Sequence, residues 1–314
     1  MSLRFSRFPT FFHWSLCWLA VGPAAIAAKP PVQQEQTPVP APLSSPFATK
    51  VLDYLPGEGL YVNDPNFNDP ARALGAPIGG GTLLADSTKL VTLGGFGGSI
   101  TLGFDHTVAD DPANHLGLDC IIFGNGVWIG QNPLSRWSEA AVIEISLDTN
   151  GNGLADDLWY LIPGSDISDP INQQRNGFYL LPDDPYAQPP LDNPNGDGFE
   201  AWWGYADLAP VLKRGDLDGD NSVDNPWVSN ESFYTVPDDP LTVGVDAGSG
   251  GGDAFDIAWA VDPLTGQPAD LPGFDFIRIT SAVWSFDNWF GEVSAEIGGV
   301  ADVGGRAFRG VLRP

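Results

Sequence analysis

Cysteine, histidine, methionine and basic residues are all scarce in this chain of 314 residues, which has two Cys, three His, one Met and 14 Lys or Arg against 40 Asp or Glu. The formal net charge of −26 argues against nucleic acid or an anionic membrane as partner, because both require a basic footprint. With so few histidines, a zinc site or a Ser-His-Asp triad in the folded region would have to use His106 or His115. Neither Gly-x-Ser-x-Gly nor His-Glu-x-x-His occurs, and Cys120 falls in an apolar run where thiols are usually inert. Long hydrophobic runs are missing too. The stretch from Phe11 to Val21 is too short for an ordinary membrane-spanning helix, and no second one follows.

That apolar stretch follows Arg4 and Arg7 and precedes Ala25-Ile26-Ala27, the order of a secretory signal with its small-residue cleavage site. Leu16 stands where a small residue would precede a lipid-anchored Cys17, which speaks against a lipoprotein. Residues 1–27 are therefore expected to be a signal peptide and the protein to be secreted or held at the cell surface. Cleavage after Ala27 leaves Cys120 as the only cysteine, so no intramolecular disulfide is expected to staple the exported chain. Residues 28–47, rich in Pro, Gln and Ala, read as a linker. Residues 48–314 then read as one domain near the upper size for a single core. Acidity does not imply disorder here, since 43% of the chain is hydrophobic and it carries 11 Trp.

What the chain has in abundance is Asp, Asn, Gly and Pro, and two segments arrange them in the same way. Asp148, Asn150, Asn152 and Asp156 occupy positions 1, 3, 5 and 9 of one loop, and Asp216, Asp218, Asp220 and Asp224 occupy the same positions of another. Alternate oxygen side chains with Gly153 or Asn221 at the sharp sixth position are how a chain wraps a hard cation, and calcium accepts six to eight such oxygens. Asp157 is placed to join or replace Asp156, and the carbonyls of Leu154 and Ser222 at position 7 would complete the shells. Trp159 and Trp227 stand at position 12, where an EF-hand has its bidentate Glu, which speaks against a regulatory EF-hand pair. The cofactor expected is calcium, with Asx-rich turns as the alternative reading of the same residues.

Short alternating runs predict an all-β fold. Ile100, Leu102 and Phe104 share one strand face, as do Ile143, Ile145 and Leu147, and later Ile277 and Ile279. Leu118–Phe123 reads as a buried strand. The first loop is predicted to join the two strands of a hairpin, because Leu158–Ile162 is strand-like again. Residues 163–240 are poor in such runs and read as an insertion carrying the second loop, with calcium as its organiser.

Leu93–His106, Phe123-Gly124-Asn125, Trp137-Ser138-Glu139, Asp156–Tyr160, Gly251–Ala260 and Phe290–Ile297 occur in this order. Together they resemble a family of bacterial secreted or surface proteins labelled only as cell surface protein, and galactose-binding-like jelly rolls such as discoidin and many carbohydrate-binding modules. The resemblance covers roughly residues 50–300. It implies a jelly-roll-type β-sandwich and a binding role toward a glycan or another small polar ligand. It also suggests a third cation site at Glu292 and Glu296, against which stands a solvated acidic face.

Trp128, Trp137, Trp202, Trp203, Trp284 and Trp289 offer more aromatic surface than a core normally absorbs. Trp202, Trp203, Trp284 and Trp289, in loop-like settings, are the candidate ligand residues. The glycines of 94–98 and 248–252 predict turns rather than phosphate loops, as no Lys-Ser/Thr follows them; Asp253 and Asp256 ligate metal or cap turns. A carbohydrate-active enzyme using a carboxylate pair and a purely structural surface component remain the alternatives.

Overall fold

The computed structural model describes residues 44–137, 139–163, 178–180, 205, 207–238, 245–282, 285–287 and 291–304. Among these residues, fifteen strands account for most of the regular structure. In chain order they are β1 (Lys50–Leu55), β2 (Val91–Thr92), β3 (Ser99–Ala109), β4 (Cys120–Phe123), β5 (Val127–Ile129), β6 (Asn132–Trp137), β7 (Ala141–Ser146) and β8 (Tyr160–Ile162). Then come β9 (Phe178–Leu180), β10 (Asp253–Phe255), β11 (Gly273–Ser281), β12 (Ser285–Asp287), β13 (Gly291–Val293), β14 (Glu296–Ile297) and β15 (Gly299–Asp302). The α-helix among the described residues is a single turn, Asn230–Phe233, capped by Ser229. The fold is all-β, as the alternation predicts.

The largest sheet has five strands in the order β1-β3-β11-β7-β8, all antiparallel. β11 is its spine, pairing with β3 on one side and β7 on the other, so Ile277 lies between Leu102 and Ile145 and Ile279 between Ile100 and Ile143. All six side chains are fully buried on one face. A one-residue slip would turn the whole set to the other face, so this apolar ladder fixes the register. A three-stranded sheet, β10-β4-β15, supplies Cys120, Ile122, Phe255 and Val300 to the same core cluster. All of β4 is buried, which is why its sequence shows an unbroken apolar run rather than alternation.

β7 and β8 form the predicted hairpin, with the loop of 148–159 between them. Leu147, expected to face inward, is only partly buried, since the strand ends at Ser146. The fold takes in the end of the expected linker: Phe47 is 3% exposed and bridges Ala301. Within 163–240, β9 pairs with β6, and Tyr205, Val211, Leu212 and Phe233 are buried in the core clusters. No helix among the described residues is long and apolar enough to cross a membrane.

Candidate metal loops and a buried carboxylate centre

The second acidic loop brings its ligands together. Oxygens of Asp216, Asp218 and Asp224 all lie within 4.8 Å of one another, the spread allowed to ligands about 2.3–2.6 Å from a shared calcium ion. Asp216 is fully buried and sets the turn, accepting hydrogen bonds from the Gly219 and Asn221 amides at 3.0 Å each. Burial pushes the Asp216 carboxyl above its usual range. Gly219 (φ 74°) and Asn221 (φ 70°) take the left-handed conformation that lets the chain curl round a point. Asp224 closes the loop through the Leu217 amide at 2.9 Å. Asp220 is not in the converging group; its carboxylate accepts from the Ser222 amide at 2.7 Å. Asn221 also ties the loop to residue 82, its Oδ1 accepting from the Thr82 amide at 2.8 Å.

The first loop repeats that backbone. Asp148 accepts from the amides of Asn152 (3.1 Å) and Gly153 (2.7 Å), and Gly151 and Gly153 have φ of 69° and 74°. Asp156 lies 3.2 Å from the Asn152 amide group and 3.4 Å from that of Asn150, while Asp157 meets Asn150 at 3.1 Å and bonds the Thr149 hydroxyl. The side chains of Asn150, Asn152, Asp156 and Asp157 thus converge, with the amide nitrogens toward the carboxylates. A half-turn of either amide would present oxygen instead. Acidic groups able to hold a metal ion are therefore present, most clearly at Asp216, Asp218 and Asp224. Neither position-12 tryptophan is placed as an EF-hand ligand would be: Trp159 packs against the Arg278 guanidinium at 4.4 Å, and Trp227 is 91% exposed.

Asp110, Asp119 and Asp256 form another group whose oxygens lie within 4.8 Å. Asp119 is buried there, accepting from the amides of Asp111 and Ile257 and from the Asn114 side chain, and burial raises its pKa to about 6. Asp256 caps a short turn through the Ala258 amide at 2.7 Å, and Asp253 accepts from the Leu208 and Ala209 amides. Asp256 thus caps a turn while also belonging to this acidic group, whereas Asp253 ties its strand to a segment more than forty residues away. No spacing marks Asp119 in the sequence, because its partners come from two segments well over a hundred residues apart.

Glu292 and Glu296 are not a solvated face: they are 4% and 8% exposed. Glu292 accepts from the Leu60 amide. Glu296 instead joins Glu139, which is 2% exposed, in a hydrogen-bonded pair of carboxyl groups. A single Asn125 amide donates to both, at 2.8 Å to Glu139 and 2.7 Å to Glu296, and the Trp137 indole donates to Glu139 at 3.1 Å. Burial, reinforced for Glu296 by the Glu139 charge, raises both, which favours a proton shared between them over two charges side by side. Asp207 lies alongside, fully buried at φ 57°; its Oδ1 accepts from the Gly126 amide at 2.9 Å, and burial again raises its carboxyl well above the usual range. Gly124 has no room for a side chain, since a Cβ there would stand 1.9 Å from the Tyr205 hydroxyl. The resemblance picks out Gly124, Asn125, Glu139 and Glu296 as motif residues but not that they meet.

Trp202, Trp203, Trp284 and Trp289 lie outside the described residues. Trp137 is core, at 3% exposed, and Trp128 is half-buried. Trp227, at position 12 of the second loop, is the most exposed of the described tryptophans. His106 is pinned between Asp105 and Asp302, 2.9 Å from each, and Cys120 is fully buried with its thiol pushed up by burial. No family model matches the chain, and no curated protein matches it.

Proposed function

We propose that this protein is an exported jelly-roll-type β-sandwich, stabilised by calcium in the loops of Asp148 and Asp216, that binds a glycan or another small polar ligand at the bacterial cell exterior. The observation that carries the metal assignment is the convergence of Asp216, Asp218 and Asp224 within 4.8 Å on a backbone curled by left-handed Gly219 and Asn221. The same backbone recurs from Asp148 to Gly153. All-oxygen donor sets of this kind suit a hard cation, and calcium tolerates their irregular geometry better than magnesium does. The role of the ions is rigidity, since each neutralises clustered carboxylates in a chain with few other staples.

Ligand binding is assigned to exposed aromatic rings. Trp227 supports this, being 91% exposed three residues beyond Asp224. The buried Glu139–Glu296 pair lends no support to a glycoside hydrolase, which needs carboxyl groups open to sugar and water. Calorimetric titration with calcium should show two equivalents bound, with Asp148→Ala and Asp216→Ala each removing one. One equivalent in the parent, abolished by either substitution alone, or no calcium bound at all, would dismiss the two-loop assignment.

A further inference from the structure

Asn-Gly sequences carry an intrinsic reaction. The backbone nitrogen of the glycine attacks the Asn side-chain carbonyl, and the missing Cβ leaves that nitrogen unhindered. Three such sequences lie among the described residues: Asn125-Gly126, Asn150-Gly151 and Asn152-Gly153. Their surroundings differ at the attacking atom. The Gly126 amide donates to Asp207 at 2.9 Å, inside the buried centre, and the Gly153 amide donates to Asp148 at 2.7 Å. In the second loop the related Asp218-Gly219 is held in the same way, the Gly219 amide donating to Asp216 at 3.0 Å. The Gly151 amide, by contrast, makes no hydrogen bond among the described residues. Gly151 and Asn150 are both exposed, and nothing stands within 4 Å of where a Gly151 side chain would be.

We propose that Asn150 is a modification site, the one of these three asparagines that deamidates in the folded protein, so that the first loop gains a carboxylate as the protein ages. The Gly151 nitrogen gives up its proton and bonds to the Asn150 Cγ. The Cγ–Nδ2 bond then breaks, ammonia leaves with that proton, and a five-membered succinimide remains. Water opens the ring at one of the two bonds to the Gly151 nitrogen. Cleavage at Cγ leaves aspartate, and cleavage at the main-chain carbonyl leaves isoaspartate. One water is consumed and one ammonia released, with no change of oxidation state. The aspartate product has a carboxylate at the third loop position, where the second loop already has Asp218. The isoaspartate product lengthens the backbone by one atom and carries the loop out of register.

Freeing the Gly153 nitrogen means breaking a hydrogen bond to a carboxylate, which slows Asn152 by about ten- to a hundred-fold relative to Asn150. The inference concerns hydrogen bonding within the loop and holds whether or not calcium binds there, so the test is run in EDTA. The full chain is held at mildly alkaline pH, folded and in parallel unfolded in urea, and each Asn-Gly peptide is followed by mass spectrometry. In the folded chain Asn150 should convert first, with isoaspartate among its products, while Asn152 and Asn125 persist. In urea all three should convert at similar rates. Asp148→Ala, in an exposed loop, releases the Gly153 amide and should bring Asn152 up to the Asn150 rate. Asn152 converting as fast as Asn150 in the folded parent would overturn the proposal. So would an Asn150 that persists over the time in which the urea-unfolded chain converts.

Discussion

Glu296→Gln should make the protein less sensitive to alkali, and the size of the change follows from the buried pair. Glu139 and Glu296 are raised above the ordinary glutamate value of 4.5 by burial, with the Glu139 charge adding to the effect on Glu296. In the unfolded chain both ionise near that value, while the folded chain keeps a proton between them. The folded state therefore binds more protons, and its stability falls as pH rises. The pair's contribution is complete below about pH 4.5 and is lost progressively as pH climbs through the raised folded values. Each retained proton makes the slope about 1.4 kcal/mol per pH unit between the unfolded value and the raised folded one. Glutamine mimics the protonated acid: it can still accept from Asn125 and donate to Glu139. The variant should lose one proton's worth of slope and match or exceed the parent at alkaline pH. Asp119 and Asp207 are raised as well, so the informative quantity is the difference between parent and variant. Urea unfolding over a pH series, in EDTA, measures it. Parallel pH profiles for the two proteins would refute the shared proton.

Ile279→Ala, at the centre of the five-stranded sheet, should cost about 2–5 kcal/mol, visible as a lower urea midpoint with an unchanged slope. Burial pulls the His106 pKa down, but hydrogen bonds to Asp105 and Asp302 outweigh it and leave the value raised. Its stabilisation is thus present below the unfolded value of 6.5 and lost as pH rises through the folded one; His106→Gln should flatten that part of the parent's pH–stability profile. Trp227→Ala should change folding stability by no more than about 0.5 kcal/mol yet weaken binding on a glycan array; undiminished binding would move the ligand site elsewhere.

The parts of the structure that were legible beforehand are those whose cause is local. Ile100-x-Leu102-x-Phe104 and Ile277-x-Ile279 announce strands because a pleat alternates its faces, and the two loops repeat one spacing within nine residues. The interior acids were not legible. Glu139, Asp207 and Glu296 come from distant stretches and meet only when the sheets pack. A carboxylate in an acidic chain is expected outside, so Glu292 and Glu296 read as metal ligands or a wet face rather than as buried groups. Asp119 was hidden for the same reason, its partners lying upstream at Asp111 and Asn114 and far downstream at Ile257.

The most direct test of the central claim is thermal unfolding of the protein in EDTA, and then with calcium or magnesium restored. Calcium at a hundred times its dissociation constant should stabilise the fold by about 2.7 kcal/mol for each occupied loop, because it binds only the folded state. A rise of several degrees with calcium and little with magnesium is the expected result, and Asp216→Ala should remove part of it. An unfolding midpoint indifferent to calcium would mean that both Asp-rich loops are ordinary turns, held by hydrogen bonds such as those to Asp148 and Asp216.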